Sequence, residues 1–356
     1  MARTSLPKFK VAAEGQKPPI DFEGNPRYRD YLHAVYRYNG NITAAELQHL
    51  VPEHRPTDRQ RAAVDRAHVA KSKKRNAQLE LNIDAEPKAG QAAGAQTTKT
   101  SRVVQAHLSK LHHNDYLRRY GTRNMVLYTL GPRALEPLVS YFDADPGRIA
   151  LLQTRSREPG KYYLNHSRMI SRIHFMTEMA VRDTAVDIGF WMHDGQIKSE
   201  VTFTDSNQKS KSIPVIPDAF FALESKGQGQ PVFICLEADR TSSTRNRFLN
   251  KMIGYYRFWK RPRRGKPLCQ EVLETSHFRV LVVCVSIPRC RGLYNDTQEA
   301  LRHDPVYRGS MDMASRQSND GSIGASSGIV FAHMDDWQDE RGFYFPNMNA
   351  GMIPFV

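Results

Sequence analysis

The sequence is most informative between Pro217 and Tyr255, where it reads PDAFFALESKGQGQPVFICLEADRTSSTRNRFLNKMIGY. This segment places Pro217-Asp218 before a first apolar run, follows with a second, almost wholly apolar run over 232–238, and ends in a basic segment of helical character. An unbroken apolar run of this length is typical of a strand buried on both faces of a sheet. The segment therefore predicts two strands and a helix inside an α/β domain.

Carboxylates interrupt or end both predicted strands. Asp218 is a polar break in the first strand, Glu237 ends the second, and Asp239 follows two residues later on the same side. An ionised carboxylate at the edge of an apolar sheet is costly unless it is paired or binds a metal. Two such groups can share one Mg²⁺ or Mn²⁺ ion, which would lower the pKa of an attacking water and stabilise a charged transition state. Asp218 and Glu237 are the predicted metal ligands, with Asp239 as a third candidate.

The helix after these acids carries Arg247, Lys251 and Tyr255 four residues apart, so the three side chains share a face. In a catalytic interpretation Lys251 steadies the attacked phosphate, and Arg247 and Tyr255 hold its neighbours. The alternative is a solvated basic face that binds DNA without specificity. The DNA contacts predicted for this segment are Arg240, Arg247, Tyr255 and Lys260.

The charge of the chain predicts a polyanionic partner. Its 356 residues carry a formal net charge of +14, and the pI is about 9.6. The first 140 residues hold 23 Lys and Arg against 13 Asp and Glu, while residues 240–270 hold ten basic residues and no acidic one. Two separate basic segments, each beside a structural signal, favour double-stranded DNA over a merely solvated surface.

Residues 27–146 have the element order of a winged helix-turn-helix domain. Helical periodicity predicts three helices there, over 27–38, 43–51 and 100–113. The second begins at the capping box Thr43-x-x-Glu46. Two strand-like runs follow, joined by a hairpin signal at residues 121–124. The third helix would enter the major groove and the hairpin would meet the backbone, through Lys99, Arg102, Gln105, Arg118, Arg119 and Arg123. Winged helices also mediate protein contacts, which is the alternative for this domain.

The rest of the chain is organised around these two domains. Residues 1–26 are predicted to be a flexible arm, and residues 52–99 an inserted basic segment and linker. Residues 147–356 are predicted to form an α/β domain with a mixed sheet. Its elements are expected as a helix over 165–187, strands over 191–203, 213–223, 232–238 and 278–286, and helices over 246–259 and 296–303. Overall, the fold class is α+β with an α/β second domain.

Several classes of protein are disfavoured by what the sequence lacks. Its four cysteines form no paired C-x-x-C motif, so neither a zinc site nor a disulfide framework is indicated. It has no run of about 18 apolar residues, and its start, MARTSLPKFK, lacks an apolar signal segment. A cytoplasmic protein with no membrane association is expected.

The order Pro217-Asp218, strand, turn, strand and Glu237-x-Asp239 resembles the PD-(D/E)XK restriction-endonuclease-like core. That resemblance implies a Mg²⁺-dependent endonuclease or nickase, and it adds Glu178 of the preceding helix as a further metal ligand. One departure is that Asp239 stands where the family normally has its lysine. Some members carry the lysine on the following helix, and Lys251 occupies such a position.

The segment from Glu237 to Lys251 and Tyr255 also resembles the replication-relaxation, or MobC-like, proteins of bacterial plasmids and integrated elements. This second resemblance implies a role in plasmid replication, mobilisation or relaxation, with a relaxase or replication protein as a partner. Cutting of both strands would favour a homodimer. A non-catalytic accessory protein that uses the same fold to bind DNA or a partner is the main alternative, and an antitoxin-like regulator is a third.

Overall fold

The computed structural model describes residues 20–51, 101–122, 125–156, 161–182, 184–193, 195–204, 209–226, 231–240, 244–260, 262–263, 266–275, 277–303, 329–333, 344–347 and 351–354. The chain divides into two compact units, Met1–Arg172 and Ile173–Val356. The division falls inside a helix, later than the predicted boundary at 146–147. The predicted insertion over 52–99 lies outside the described residues.

The N-terminal unit contains the three predicted helices and the predicted antiparallel hairpin in the expected order, with further helices after them. Its elements are α1 (Arg27–Arg37), β1 (Ile42–Thr43), α2 (Ala44–Leu50), α3 (Arg102–His113), β2 (Leu117–Thr122), β3 (Met125–Leu130), a 3-10 helix (Pro132–Ala134), α4 (Leu135–Phe142) and α5 (Pro146–Arg155). The strands form one antiparallel sheet in the order β1-β3-β2. The helices and the hairpin predicted from the sequence are thus confirmed.

The capping box forms at the start of α2 as predicted. The backbone N–H of Glu46 donates to Thr43 Oγ1 at 3.3 Å, and the backbone N–H of Thr43 donates to Glu46 Oε2 at 2.9 Å. The other Glu46 oxygen accepts from Arg168 at 2.6 Å. Arg168 lies on α6 (Lys161–Val181), the helix in which the division falls. The first half of α6 therefore packs with the N-terminal unit, which places the division after residue 146.

The end of the predicted flexible arm packs on the fold. Ile20 and Phe22 are buried, and the Phe22 ring lies 5.0 Å from the ring of Tyr116 in an edge-to-face arrangement. Ile20 and Phe22, at the end of the predicted arm, therefore belong to the packed fold, because these aliphatic and aromatic side chains remove apolar surface from water.

The C-terminal unit is built on a five-stranded mixed sheet. Its elements after α6 are β4 (Val186–His193), β5 (Ser199–Thr204), β6 (Ser210–Val215), β7 (Ala219–Ser225), β8 (Val232–Asp239), α7 (Arg245–Lys260), β9 (Pro262–Arg263), β10 (Lys266–Pro267), α8 (Leu268–Leu273), β11 (Arg279–Cys284), α9 (Ile287–His303), β12 (Ile329–His333), β13 (Tyr344–Asn347) and β14 (Gly351–Pro354). The sheet order is β12-β11-β8-β7-β4. Strands β8, β11 and β12 run parallel, and β7 is antiparallel to both β8 and β4. The predicted mixed α/β sheet is confirmed.

Two predicted strands each prove to be two. The run over 191–203 divides into β4 and β5, and the run over 213–223 divides into β6 and β7, so that β5 and β6 leave the main sheet as a separate hairpin. The first break is a turn closed by the backbone N–H of His193, which donates to Gln196 Oε1 at 2.6 Å. Asp194-Gly195 in the first break is a turn signal, and Pro217 stands in the second, so the local sequence marked both breaks and the prediction of two continuous strands missed them.

The two faces of the sheet are covered by different helices. Residues of α7 and α9, among them Met252, Tyr255 and Leu293, pack on the face that carries Cys235 and Val282. On the opposite face His174 of α6 stacks on Trp191 with ring centroids 4.0 Å apart, and Trp191 stacks on Phe221 at 4.4 Å. Side chains alternate between faces along a strand. Glu237 and Asp239, in step with Cys235, therefore lie on the α7 and α9 side.

Candidate functional site

The candidate site lies at the edge of the sheet where the parallel strands β8 and β11 end. Asp218, which precedes the antiparallel strand β7, is brought to the same edge. Its backbone N–H donates to the Leu236 carbonyl at 2.9 Å, and its Oδ2 accepts from the Ala238 N–H at 2.8 Å. Asp218 is thus bonded to the residues immediately before and after Glu237. The edge outside the carboxyl ends of parallel strands is the usual place for ligands in α/β sheets.

Glu237 is the centre of a buried polar network. Only 5% of the residue is exposed, and its two carboxylate oxygens accept from Lys251 Nζ and from the Tyr255 hydroxyl. Burial raises the pKa of Glu237 to about 7; the positive charge of Lys251 opposes this, and the negative charge of Asp218 adds to it. Burial alone would lower the pKa of Lys251, but Glu237 and Asp218 raise it on balance. Lys251 therefore stays positively charged beside a carboxyl that titrates near neutral pH.

Tyr255 does not lie where the sequence analysis placed it. It was predicted to hold a DNA phosphate, yet it is only 1% exposed and donates its hydroxyl to Glu237. Burial raises the pKa of the phenol well above its usual value, so the group remains a donor. Along the same helix face Arg247 is exposed and Lys251 half-buried. The face therefore runs from solvent into the core, which the four-residue spacing alone did not show.

Asp239 is engaged by a residue that the sequence analysis did not identify. Arg289, in the first turn of α9, donates from Nε to Asp239 Oδ2 at 2.8 Å and from Nη2 to Oδ1 at 3.2 Å. Asp239 ends β8 and is the register partner of Cys284, which ends β11. The helix after β11 therefore starts beside Asp239. The sequence signal that could have identified this pairing is that Arg289 follows closely after the buried strand predicted over 278–286.

Glu178, the metal ligand suggested by resemblance, lies on α6. Its carboxylate is 3.9 Å from the guanidinium of Arg182, and α6 packs on the sheet face opposite Glu237. Among the described residues, no group of three or more His, Cys, Asp or Glu side chains is placed to hold a metal ion. The structure therefore does not gather the four predicted ligands into one cluster.

Asp218 and Glu237 by themselves fit a Mg²⁺ site with two protein ligands. Their negative charges are close enough for Asp218 to raise the pKa of Glu237. A hard cation relieves such a repulsion, and Mg²⁺ typically takes one or two carboxylates, with water and phosphate oxygens completing its shell.

Three side chains near the start of α3 are exposed. Arg102 and Gln105 are exposed, and so is Val103, with 46% of its surface accessible. On the hairpin, Arg118 and Arg119 are half-buried, and Arg118 donates to the Gln153 carbonyl at 3.2 Å. Of the remaining predicted DNA contacts, Arg240 is half-buried, Lys260 is exposed, and Lys99 and Arg123 lie outside the described residues.

A sequence profile of known proteins matches this chain over the region that holds the site. The replication-relaxation family matches residues 87–267, which is 181 of the 356 residues. The chain belongs to the replication-relaxation family. No curated protein and no solved structure matches it significantly. Within the described residues, no helix is long and apolar enough to cross a membrane.

Membership in the replication-relaxation family indicates a role in the replication or mobilisation of a plasmid or mobile element. The matched residues include Asp218, Glu237, Asp239 and Lys251. Arg289 lies beyond the end of the match. The residue that completes the ion pair at the edge of the sheet is therefore identified by the tertiary structure alone.

Proposed function

We propose that this replication-relaxation protein binds the DNA of a plasmid or mobile element and cleaves or nicks its backbone at the Asp218–Glu237–Lys251 site. The observation that supports catalysis is the convergence of these three side chains at one edge of the sheet. Lys251 donates to Glu237. Asp218 accepts from the backbone of Ala238 on β8, the strand that carries Glu237. Two acids and a lysine at such an edge are the groups that a PD-(D/E)XK nuclease needs.

We place DNA recognition on α3 of the N-terminal unit, which we interpret as a winged helix-turn-helix. The order α1-β1-α2-α3-β2-β3 and the sheet order β1-β3-β2 support this assignment. In such domains the third helix reads the major groove. Arg102 and Gln105 would bond base edges or phosphates, and the exposed Val103 suits the methyl group of thymine.

Each residue of the C-terminal site has its own role in the proposed reaction. Glu237, whose pKa burial raises to about 7, would lose its proton to solvent and become a metal ligand when a cation binds. Lys251 keeps its positive charge and steadies the phosphate. The Tyr255 hydroxyl fixes the orientation of the carboxylate. Asp218 and Glu237 would hold a Mg²⁺ or Mn²⁺ ion, which lowers the pKa of a water nucleophile and stabilises developing charge.

A second candidate function is a non-catalytic accessory protein. It is favoured by one specific observation, that both Glu237 oxygens are occupied by Lys251 and Tyr255 while Asp239 is paired with Arg289. A site of this kind is already neutralised by its own side chains. In that case the unit would be a platform for DNA or for a relaxase or replication protein of the same element.

Cleavage of supercoiled plasmid with Mg²⁺ or Mn²⁺ separates these functions. The variants are Asp218→Asn and Glu237→Gln, and the matched control is Asp187→Asn, an exposed acid on β4 of the same unit. We expect the wild type and the control to convert plasmid to nicked or linear DNA and both site variants to fail. If the wild type only retards the plasmid in a gel, and the site variants retard it equally, the accessory function replaces the nuclease.

A further inference from the structure

The ion pair between Asp239 and Arg289 occupies the position where the nuclease motif normally has its lysine. Asp239 is buried, with 4% of its side chain exposed, whereas 24% of the Arg289 side chain is accessible. The buried carboxylate therefore anchors a partly exposed arginine side chain. A cation is thus supplied beside Asp239 by α9, the helix that follows β11.

Arg289 pairs with the acid that follows Glu237 on the same face of β8. Glu237 and Asp239 are two residues apart on one face of β8, so their Cα atoms are separated by about 7 Å along the strand. Lys251 is bonded to the first acid and Arg289 to the second. The two cations are therefore held by acids that are neighbours on the same face of β8.

The charge at this edge requires both cations if DNA is to approach. Asp218, Glu237 and Asp239 are acidic, and a polyanion meets net repulsion unless these charges are compensated. Lys251 and Arg289 supply two positive charges against these three acids from α7 and α9, and a bound divalent cation would supply the rest. The planar guanidinium of arginine also matches the geometry of a phosphate better than an ammonium does.

We propose that Arg289 is a phosphate-binding residue of this site, held by Asp239 so that its guanidinium contacts the DNA backbone beside Glu237 and Lys251. This inference rests on the proposed function, since it requires DNA at this edge of the sheet. The competing explanation is that the ion pair only fastens α9 to β8. A strut of that kind affects stability but makes no contact with DNA.

The salt dependence of DNA binding distinguishes a phosphate contact from a strut. We would measure the affinity of the full chain for a linear mixed-sequence duplex by fluorescence anisotropy over a series of NaCl concentrations, with EDTA present. For Arg289→Ala the slope of log K against log salt should fall by about 0.9, the value of one phosphate contact. Affinity should fall about tenfold, as for the loss of one charged hydrogen bond. Arg291→Ala, an exposed arginine on the same helix, is the control and should leave both unchanged.

Variants of Asp239 keep the test decisive if Arg289→Ala fails to fold. The double variant Asp239→Asn/Arg289→Gln replaces the ion pair with a neutral hydrogen-bonded pair and leaves no buried charge unpaired. Its slope should fall by the same amount of about 0.9, while Asp239→Asn alone, which keeps the Arg289 charge, should retain the wild-type slope.

A wild-type slope in the double variant, with a lowered melting temperature, would show that the ion pair is only a strut. The proposed function would survive that result, because the wild type would still bind and cleave DNA. If the wild type itself shows no salt-dependent DNA binding, the proposed function fails and the role of Arg289 fails with it.

Discussion

Replacing Lys251 with methionine tests whether this ammonium group holds Glu237 in its charged form. Lys251 donates to a carboxyl that is 5% exposed and whose pKa burial raises to about 7. The positive charge of Lys251 opposes the effect of burial. Its removal should therefore raise the pKa of Glu237 further, so that the carboxyl is protonated at neutral pH.

The sign and size of the effect on stability follow from this pKa. Glu237 has an ordinary pKa of 4.5 and a folded pKa of about 7, so its protonation favours the folded state. That contribution is fully present below pH 4.5 and is lost as the pH rises to about 7. In Lys251→Met the folded pKa of Glu237 is higher, so its contribution to the free energy of unfolding continues to fall above pH 7, by about 1.4 kcal/mol per pH unit. The free-energy difference between wild type and variant should thus grow by up to about 3 kcal/mol between pH 7 and pH 9.

Urea denaturation followed by tryptophan fluorescence measures this difference in the relevant unit. The three tryptophans, Trp191, Trp259 and Trp337, all lie within Ile173–Val356. Fluorescence therefore reports the unfolding of the unit that holds the site. Each protein would be unfolded at several pH values in EDTA, so that metal binding does not contribute.

Two controls accompany the measurement. Arg247→Met removes an exposed cation one helical turn before Lys251, and its effect should be the same at every pH. Combining Glu237→Gln with Lys251→Met should abolish the growth with pH, because the titrating carboxyl is absent. A difference between wild type and Lys251→Met that is equal at pH 6 and pH 9 would refute the coupling between these two groups.

Three further substitutions test separate parts of the structure by urea denaturation. Tyr255→Phe removes a donor to a buried carboxylate and should cost about 1–3 kcal/mol, with a larger loss at alkaline pH, where Glu237 is charged. Gly254→Ala should cost about 1–3 kcal/mol, because its Cβ would lie 2.7 Å from Ile213 Cγ2 and force α7 away from the β5–β6 hairpin. Thr43→Ala removes the cap of α2 and should lower the free energy of unfolding by about 0.5–2 kcal/mol, with urea denaturation followed by circular dichroism. An unchanged urea midpoint would show that Arg168 alone holds Glu46 in place.

Features that depend on neighbouring residues in the chain were predictable. The capping box at Thr43 and the strand β8 formed as expected, because their signals are local hydrogen bonding and local apolar composition. The boundaries at which β5 and β6 leave the main sheet were missed. Both turns carry local breakers, Asp194-Gly195 in the first and Pro217 in the second, which the prediction of two long strands did not use.

The site shows the same distinction. Asp218, Glu237 and Lys251 were identifiable because acidic residues at strand ends and a lysine on the next helix form a short-range pattern, and the tertiary structure brings them together. The burial of Tyr255 was not identifiable, since a four-residue spacing defines a helix face but not how deeply its end is inserted.

Three helices and the hairpin of the first unit, the buried strand β8, the basic character of the chain and the acids at the sheet edge all follow from local sequence. Which charges neutralise one another depends on the fold. Asp239 and Arg289 are 50 residues apart, and they meet because β8 and β11 run parallel and end at the same edge. The pairing of distant charges depends on strand order and direction, which local sequence patterns do not encode.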